Sequence, residues 1–559
     1  MERPNGFRGE WRVDVLARAV YSEAAGIHRL MPQVVAVPQD ADDVVLLTRW
    51  AAAQEIPLTP RGAGSSMAGG AVGTGVVMDC SQMAWLGSIR LHEFQPVELD
   101  DDEHAEAFET IAVQAVEVGP GVLCDALVAH AEAAGLLWSV QPSSHAFCTI
   151  GGMVATNAAG ARYPHGVDLP LRASVLGVEC VFADGSRGWV HRHRPLPECA
   201  PIARALAVGA GVERARHGLM AGNLLKCSSG YHAAGEAPQE WLVNALVGSE
   251  GTLATIVAVD VVLDEPAPET AMLLVAFDAL EAASEAAVVC VETGVVAAEI
   301  FDRTFLEVAK VHDAFGVPAE AEAVLLIEVR VEPVGEHDPD PAQMAEGFEG
   351  MEGVIHLELA EDAARASALW ALRKASSPIL AALPGQVRSM QVIEDGAVAP
   401  AKLGRYMAGV RERCAKFGFP VVLFGHALHG NIHANVLVDV SVVGWQERLD
   451  ELFLEVTELV RGLGGVMSGE HGDGRLRAAV LDRVWGPKDL AWFRALKEAF
   501  DPHGLLNPGV KFAARGVPLL GAPNKYDPAL PPLPAPAGAV LARVQREKRW
   551  GEYRLGMLG

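Results

Sequence analysis

The residues best suited by type and spacing to do chemistry lie in Gly425-His426-Ala427-Leu428-His429-Gly430-Asn431-Ile432-His433-Ala434-Asn435 and in Gly469-Glu470-His471-Gly472-Asp473-Gly474. Val421 to Phe424 and Ile432 to Val438 read as strands, so the turn between them returns His426 and His433 toward one point. Two imidazoles and the Glu470 carboxylate make a three-ligand site with an open position, the arrangement of a catalytic zinc. The same donors suit another divalent metal such as manganese or iron. Three histidines held by hydrogen bonds alone are the alternative, and spacing does not choose between them. His471, beside a ligand, suits a general base because an unperturbed imidazole titrates at about 6.5. A neighbouring dication would lower that pKa and keep the ring neutral.

Other segments must bring a reactant to these side chains. Pro60-Arg61-Gly62-Ala63-Gly64-Ser65-Ser66-Met67-Ala68-Gly69-Gly70 sits between the strand-like Ile56 to Thr59 and Gly75 to Asp79. Bare N–H groups in such a loop wrap a diphosphate, and glycine permits the positive φ and close approach involved. A plain tight turn is the other reading. The loop is neither a Walker loop, which needs Lys where Gly70 stands, nor a Gly-x-Gly-x-x-Gly, which needs Gly where Met67 stands. A second small-residue stretch, Gln141 to Gly160, reads as a long turn on which a flat ligand could lie, with Ser, Thr and Asn to hydrogen-bond it. A third, Leu246 to Val257, feeds a strand from Ile256 to Leu263.

Between these stretches the pattern predicts a strand at Val34–Val37, a helix opened by Asp42 and Asp43, a strand at Ile111–Val118, a helix over Val122–Ala134 and a hairpin over Ala173–His191. Leu86 to Glu109 is polar and reads as a surface excursion. Beyond Pro266-Ala267-Pro268, strands such as Met272–Phe277, Val324–Val331 and Met390–Glu394 alternate with helices such as Ala279–Thr293, Asp362–Ala382 and Ala401–Phe417, a helical layer on a sheet. Near Gly464 the character changes again, and the last long helix ends at Phe500-Asp501-Pro502. After Phe512 comes a Pro-rich tail that reads as extended through Pro536, then a basic helix over Val540–Trp550.

With 559 residues the chain is too long for one core, and half of it is hydrophobic. A formal charge of −26 argues against nucleic acid as partner, because phosphate binding needs clustered Lys and Arg. No uncharged apolar run reaches the ~18 residues of a membrane span. The first ten residues lack an apolar signal segment, which predicts a cytoplasmic protein, peripheral at the membrane at most through a partner. The eight cysteines are scattered with no Cys-x-x-Cys spacing, which excludes an iron–sulfur cluster within this sequence.

Taken together, Pro60 to Gly70, Thr149-Ile150-Gly151-Gly152 with Thr156-Asn157, Lys226 to Tyr231, Gly248-Ser249-Glu250-Gly251-Thr252-Leu253, the two histidine motifs and Asn507-Pro508-Gly509 resemble the vanillyl-alcohol oxidase superfamily of FAD flavoproteins, the p-cresol methylhydroxylase type. The likeness is strongest to its D-lactate, glycolate and D-2-hydroxyglutarate dehydrogenases and runs from about Phe7 to Lys511. It implies an α+β fold: a two-part FAD-binding domain (33–265), a sheet-and-helix substrate or cap domain (266–463) and a C-terminal return (464–512). An N-terminal extension (1–32) and the tail (513–559) flank these. It implies non-covalent FAD held by Arg61, Gly62, Ala63, Gly64, Ser65, Ser66, Gly69, Pro142, Ser143, Ser144, Gly151, Gly152, Thr156, Asn157, Glu250, Gly251, Ile256 and Asn507. It assigns metal ligands to His426, His433 and Glu470, the base to His471, and substrate contacts to Arg373 and Asn435. Phe7 to Glu10, Cys148-Thr149 and Val392 to Asp395 look most like members fused to an iron–sulfur region. His429 replaces an Asp usual in relatives. Ile393 stands where D-2-hydroxyglutarate dehydrogenases carry a substrate-contacting Lys, for which Arg388 is a substitute.

The implied reaction is oxidation of a D-2-hydroxy acid to the 2-oxo acid. Electrons would leave to a separate iron–sulfur subunit, a quinone or a cytochrome, with the tail as one docking element, and the assembly could be a homodimer. A flavin-bearing electron-transfer subunit and a metal-assisted hydrolase are the rival readings.

Overall fold

The structure is a computed structural model. It describes residues 1–94, 111–163, 171–209, 224–232, 235, 237–332, 339–360, 362–381, 383, 385–513, 519–520 and 523–558. Residues 95–110 of the expected surface excursion lie outside these.

Three sheets carry the chain. The first holds β1 (Glu10–Arg12), β2 (Val34–Val37), β3 (Leu58–Arg61) and β4 (Val76–Asp79) in the order β1-β2-β4-β3, with β2 and β3 both parallel to β4. All four residues of β2 and of β4 are buried, as expected of parallel strands covered on both faces. The helix Ala41–Ala53 links β2 to β3 and is capped by Asp40, whose carboxylate accepts from the N–H groups of Asp42 and Asp43. The second sheet is antiparallel, β5 (Arg90–Phe94), β6 (Ile111–Val118), β7 (Val175–Val181), β8 (Arg187–His191) and β9 (Thr255–Leu263), in the order β5-β6-β9-β7-β8. Part of the excursion is therefore the edge strand β5.

The third sheet has β10 (Thr270–Phe277), β11 (Ala297–Asp302), β12 (Ala323–Arg330), β13 (Val354–Leu359), β14 (Val387–Met390), β15 (Gly396–Ala397), β16 (Val421–His426) and β17 (Asn431–Asp439). Its path is β13-β10-β12-β11-β16-β17-β14, with β15 also on β17. Every pairing is antiparallel. The helices Leu280–Glu292, Ala363–Ala381 and Leu403–Lys416 accompany it, so the arrangement is α+β, as the sequence implies.

Three segments differ from expectation. Met390–Glu394 is not a strand: β14 ends at Met390, opposite Val436, and pairing resumes at Gly396, opposite Ile432. Residues 391–395 therefore bulge against 433–435, and the bulge carries Glu394 and Asp395. The stretch Gln141–Gly160 is not all turn, because Ile150–Thr156 is a helix whose Thr149 side chain accepts from the Gly152 N–H. The tail is not merely extended. A helix spans Ala535–Glu547 with Pro536 in its first turn, and Ala537, Val540, Val544, Trp550 and Leu555 share a buried core with Val20, Val35, Val37 and Val77. Asn524 bridges to His28 in antiparallel fashion, and the Lys525 N–H donates to the Ile27 carbonyl at 2.7 Å. The apolar stripe of the tail helix found a partner in the helix Val15–Val20, which composition alone does not reveal.

Candidate active site

The histidines meet because of register. In β16 and β17, His426 faces Asn431 and Phe424 faces His433, so His426 and His433 are diagonal neighbours on one face. On the other side of β16, Glu299 of β11 stands directly opposite His426. The turn between the strands depends on Gly430, whose φ is +64° and where an added Cβ would lie 1.8 Å from the Val398 carbonyl oxygen. Glu470 arrives from the chain after the helix Trp445–Gly462, where the N–H groups of Glu470 and His471 donate to the Asp395 carboxylate.

The three expected metal donors form a nearly equilateral triangle. His426 Nε2 and His433 Nε2 are 3.4 Å apart, and each is 3.4 Å from Glu470 Oε1. Zinc bound tetrahedrally at about 2.05 Å has donor–donor edges of roughly 3.3–3.4 Å, so the residues fit such an ion. The outer ring nitrogens are fixed by acceptors: His426 Nδ1 lies 2.5 Å from Glu299 Oε1, and His433 Nδ1 lies 3.2 Å from the Glu394 carbonyl. This sets the tautomer that turns both Nε2 atoms inward. Lys226, fully buried, holds the other oxygen of Glu470 at 2.7 Å.

His471 Nδ1 is 2.8 Å from Glu394 Oε2, while Arg477 donates to Glu394 Oε1 at 2.6 Å. His471 Nε2 lies 3.5 Å from Glu470 Oε1. Burial disfavours the imidazolium, but Glu394 and Asp395 outweigh it and raise the pKa to about 9. These carboxylates push the ring toward its charged form, whereas a dication in the triangle would push it the other way. Glu470 is held well below the carboxylate range: burial opposes this, and Lys226 and His426 prevail. Four carboxylates (Glu299, Glu394, Asp395, Glu470) face three cations (Lys226, Arg373, Arg477) in this cluster. A charged His471 brings this cluster to neutrality, and a cation in the triangle would take over that role and leave the imidazole neutral.

Arg373, on the helix that packs over this face, donates from Nε to Glu299. Asn435 accepts from Ser389 Oγ at 3.0 Å. Arg388 bonds the carbonyls of Gly385 and Val387. Ile393 is fully buried in the main core, whereas its neighbours Gln391 and Glu394 border the cavity. His429 is buried against the Tyr163 ring, centroids 4.4 Å apart.

One cavity of about 710 Å³ joins this cluster to the glycine loop. One part of its wall is Arg373, Arg388, Asn435, His433, Glu470 and His471; another is Arg61 to Ser66, Pro142 to Ser144, Gly151, Gly152, Thr156, Glu250, Gly251 and Ile256. His426, Gly69, Asn157 and Asn507 are off that wall. Gly69 packs on His28. Asn157 caps its helix in the left-handed region, and its side chain accepts from the Arg172 N–H. Asn507 Nδ2 donates to the carbonyls of Gly70 and Glu250 at 2.9 and 2.8 Å, tying two loops together.

The loop fits a dinucleotide diphosphate. The carbonyls of Arg61, Gly64 and Ser66 accept from the N–H groups of Cys80, Ala25 and Gly26. Across trans peptides the N–H groups of Gly62, Ser65 and Met67 point the opposite way. Ser66 Oγ is buried and, among the described residues, has no hydrogen-bond partner, as has Arg61 Nη2. Such atoms call for a polar ligand. Glu299 was not singled out from sequence, and Lys226, Glu394 and Asp395 stood there only within family-like segments, with no role given to them. The one signal for Glu299 was a lone acid in the otherwise apolar Ala297–Phe301 stretch.

Residues 32–190 match the model of the FAD binding domain, and residues 267–510 match the FAD linked oxidases, C-terminal domain. The chain is 28% identical to glycolate oxidase subunit GlcD of Bacillus subtilis over 89% of this chain and 92% of that one. It is 29% identical to D-lactate dehydrogenase of Archaeoglobus fulgidus, covering 85% and 90%. It is also 27% identical to D-2-hydroxyglutarate dehydrogenase of Pseudomonas putida, covering 91% of this chain and 51% of that one. Among solved structures, p-cresol methylhydroxylase superposes with a TM-score of 0.62 at 13% identity, covering 90% and 94%. The 4-ethylphenol oxidase of Gulosibacter chungangensis does so with 0.60 at 15%, covering 90% and 95%. Those two likenesses establish the fold. No helix among the described residues is long and apolar enough to cross a membrane. The chain belongs to the FAD-linked oxidases that join an FAD binding domain to the FAD linked oxidase C-terminal domain, and it is an FAD-linked oxidoreductase.

Proposed function

We propose that this protein oxidises a D-2-hydroxy acid, of the lactate, glycolate or 2-hydroxyglutarate class, to the 2-oxo acid. The observation that carries this reading is the single cavity bordered both by the dinucleotide loop and by Arg373, Asn435, His433, Glu470 and His471. Arg373, steadied by Glu299, takes the substrate carboxylate in a planar pair. Asn435 orients the same substrate. With a divalent cation in the triangle lowering its pKa, His471 would be neutral and would receive the hydroxyl proton at Nε2, since its Nδ1 is engaged by Glu394. A divalent cation held by His426, His433 and Glu470 would supply Lewis acidity beside that hydroxyl. Bound FAD supplies the acceptor for the α-hydrogen and its two electrons.

Re-oxidation is assigned to an external acceptor, an iron–sulfur subunit, quinone or cytochrome. Support comes from the scattered cysteines, seven buried and one partly so, and from a relative that is itself named a subunit. The deciding experiment is an anaerobic bleaching screen of the purified protein with D- and L-lactate, glycolate, D-2-hydroxyglutarate and larger hydroxy acids, with metal analysis alongside. A D-2-hydroxy acid should bleach the flavin. A flavin that no hydroxy acid bleaches would instead favour the electron-transfer subunit.

A further inference from the structure

The cofactor cavity has a wall that lies outside both matched domains. Besides the residues already named, it is bordered by Tyr526, Ala542, Gln545, Arg546, Lys548 and Trp550, all beyond residue 510, where the second match ends. We propose that the C-terminal segment 523–558 is a cofactor-binding element: it completes the site for the adenosine-diphosphate half of FAD, with Arg554 beneath the glycine loop and Arg546, Lys548 and Trp550 on the cavity wall. The proposal rests on the FAD reading and is independent of the substrate.

Position is the first argument. Arg554 is 3% exposed, and its Nη2 lies 3.4 Å from the Ala63 carbonyl, inside the loop that fits a diphosphate. Gly551 stands where a Cβ would come within 3.2 Å of Phe147 Cα, so the segment is pressed against the turn that leads into Cys148 and Thr149. The second argument is charge. Between Ala535 and Leu558 the chain has Arg543, Arg546, Lys548, Arg549 and Arg554 against Glu547 and Glu552, a net of +3 in a protein of formal charge −26. The third is unmet bonding: Arg554 Nε and Nη1 are buried and, among the described residues, have no partner. Arg61, under the same loop, likewise has an unmet buried Nη2. Two guanidinium groups lie behind one glycine loop, with Asp79 acting on both and Glu552 on Arg554, and each keeps buried N–H groups without a partner among the described residues. A diphosphate in front of the loop adds the negative charge that such donors favour. Trp550 brings an aromatic surface to the same wall and is held by the Arg554 guanidinium 5.2 Å from its ring centre.

The test compares the full-length protein with Arg554→Gln and with the double variant Arg546→Ala/Lys548→Ala, which alters only exposed side chains. Apoprotein is titrated into FAD, and binding is read from flavin fluorescence; melting temperatures are recorded with and without FAD. Arg554→Gln should raise the FAD dissociation constant by about tenfold or more, and the double variant by about three- to tenfold. Both should shrink the FAD-induced rise in melting temperature while leaving the apoprotein value in place. Dissociation constants equal to that of the unaltered protein would overturn the proposal. So would a loss of affinity that in both variants comes with an equally lowered apoprotein melting temperature, because that outcome assigns the segment to folding. An unaltered protein that binds no FAD would overturn the cofactor reading along with it. No hydroxy acid enters these assays, so failure of the substrate reading is scored separately.

Discussion

His471 and Glu299 carry different burdens, and single substitutions separate them. His471 borders the cavity, with Nδ1 engaged by Glu394. His471→Gln should slow anaerobic flavin reduction by about 10²-fold or more while FAD and metal content stay unchanged. Stopped-flow bleaching at the unaltered rate would remove it from proton transfer. Glu299 is fully buried and bonds both His426 and Arg373. Glu299→Gln keeps the shape but drops the charge, so affinity for a divalent ion should fall by roughly 10–100-fold, as measured by competition with a chelator; an unchanged affinity would mean that the triangle does not depend on this carboxylate. The motif residues were legible because histidines and glycines at fixed offsets imply a turn between strands. Their partners were not. Glu299, Lys226 and Asp395 come from places 127, 244 and 75 positions from the atoms that they hold, and an isolated buried charge leaves no periodic trace in a sequence.

The element that most controls the site is the β16–β17 hairpin, because a one-residue slip would turn His433 to the opposite face. Its register is pinned by Gly430 in the left-handed region, close against Val398. Gly430→Ala should cost about 2 kcal/mol or more, from the positive φ and the overlap with a carbonyl. The expected readout is a lower melting temperature together with loss of bound divalent metal; a variant that melts as before and keeps its metal would show that the turn is not the pin. Both strands of this hairpin, like β10 and β12 of the same sheet, could be read from apolar runs, whereas β11 and β13 were not named. The bulge at 391–395 could not, since Val392 and Ile393 look like strand residues and are buried. Their backbone leaves the ladder so that Asp395 can accept the N–H groups of Glu470 and His471. Local propensity gave way here to a hydrogen-bond network assembled from distant chain. The same cause hid the packing of the tail: its helix, expected over Val540–Trp550, spans Ala535–Glu547 and shares a core with Val20, Val35 and Val77.

At the level of the molecule, the FAD-binding half and the C-terminal return are joined by a buried charge cluster. Lys511 Nζ is 3.0 Å from Asp473 and 3.2 Å from Glu250, while Glu250 also accepts the N–H groups of Asp473 and Gly474. All three ionic side chains are buried. Lys511→Met would leave two carboxylates uncompensated and should destabilise the fold by about 3–5 kcal/mol. Denaturant unfolding of the apoprotein would measure it, and a loss below about 1 kcal/mol would show that the cluster does not fasten the two parts. The packing of the tail has a consequence in time as well as in space. Val544, which covers the same core as Val77, follows it by 467 positions. At a synthesis rate of about 5–20 residues per second, the first sheet waits roughly 25 to 95 seconds on the ribosome before its covering arrives. During that interval the nascent chain presents an apolar surface to the cell, so this protein's dependence on chaperones should be set by how late the segment 535–555 emerges.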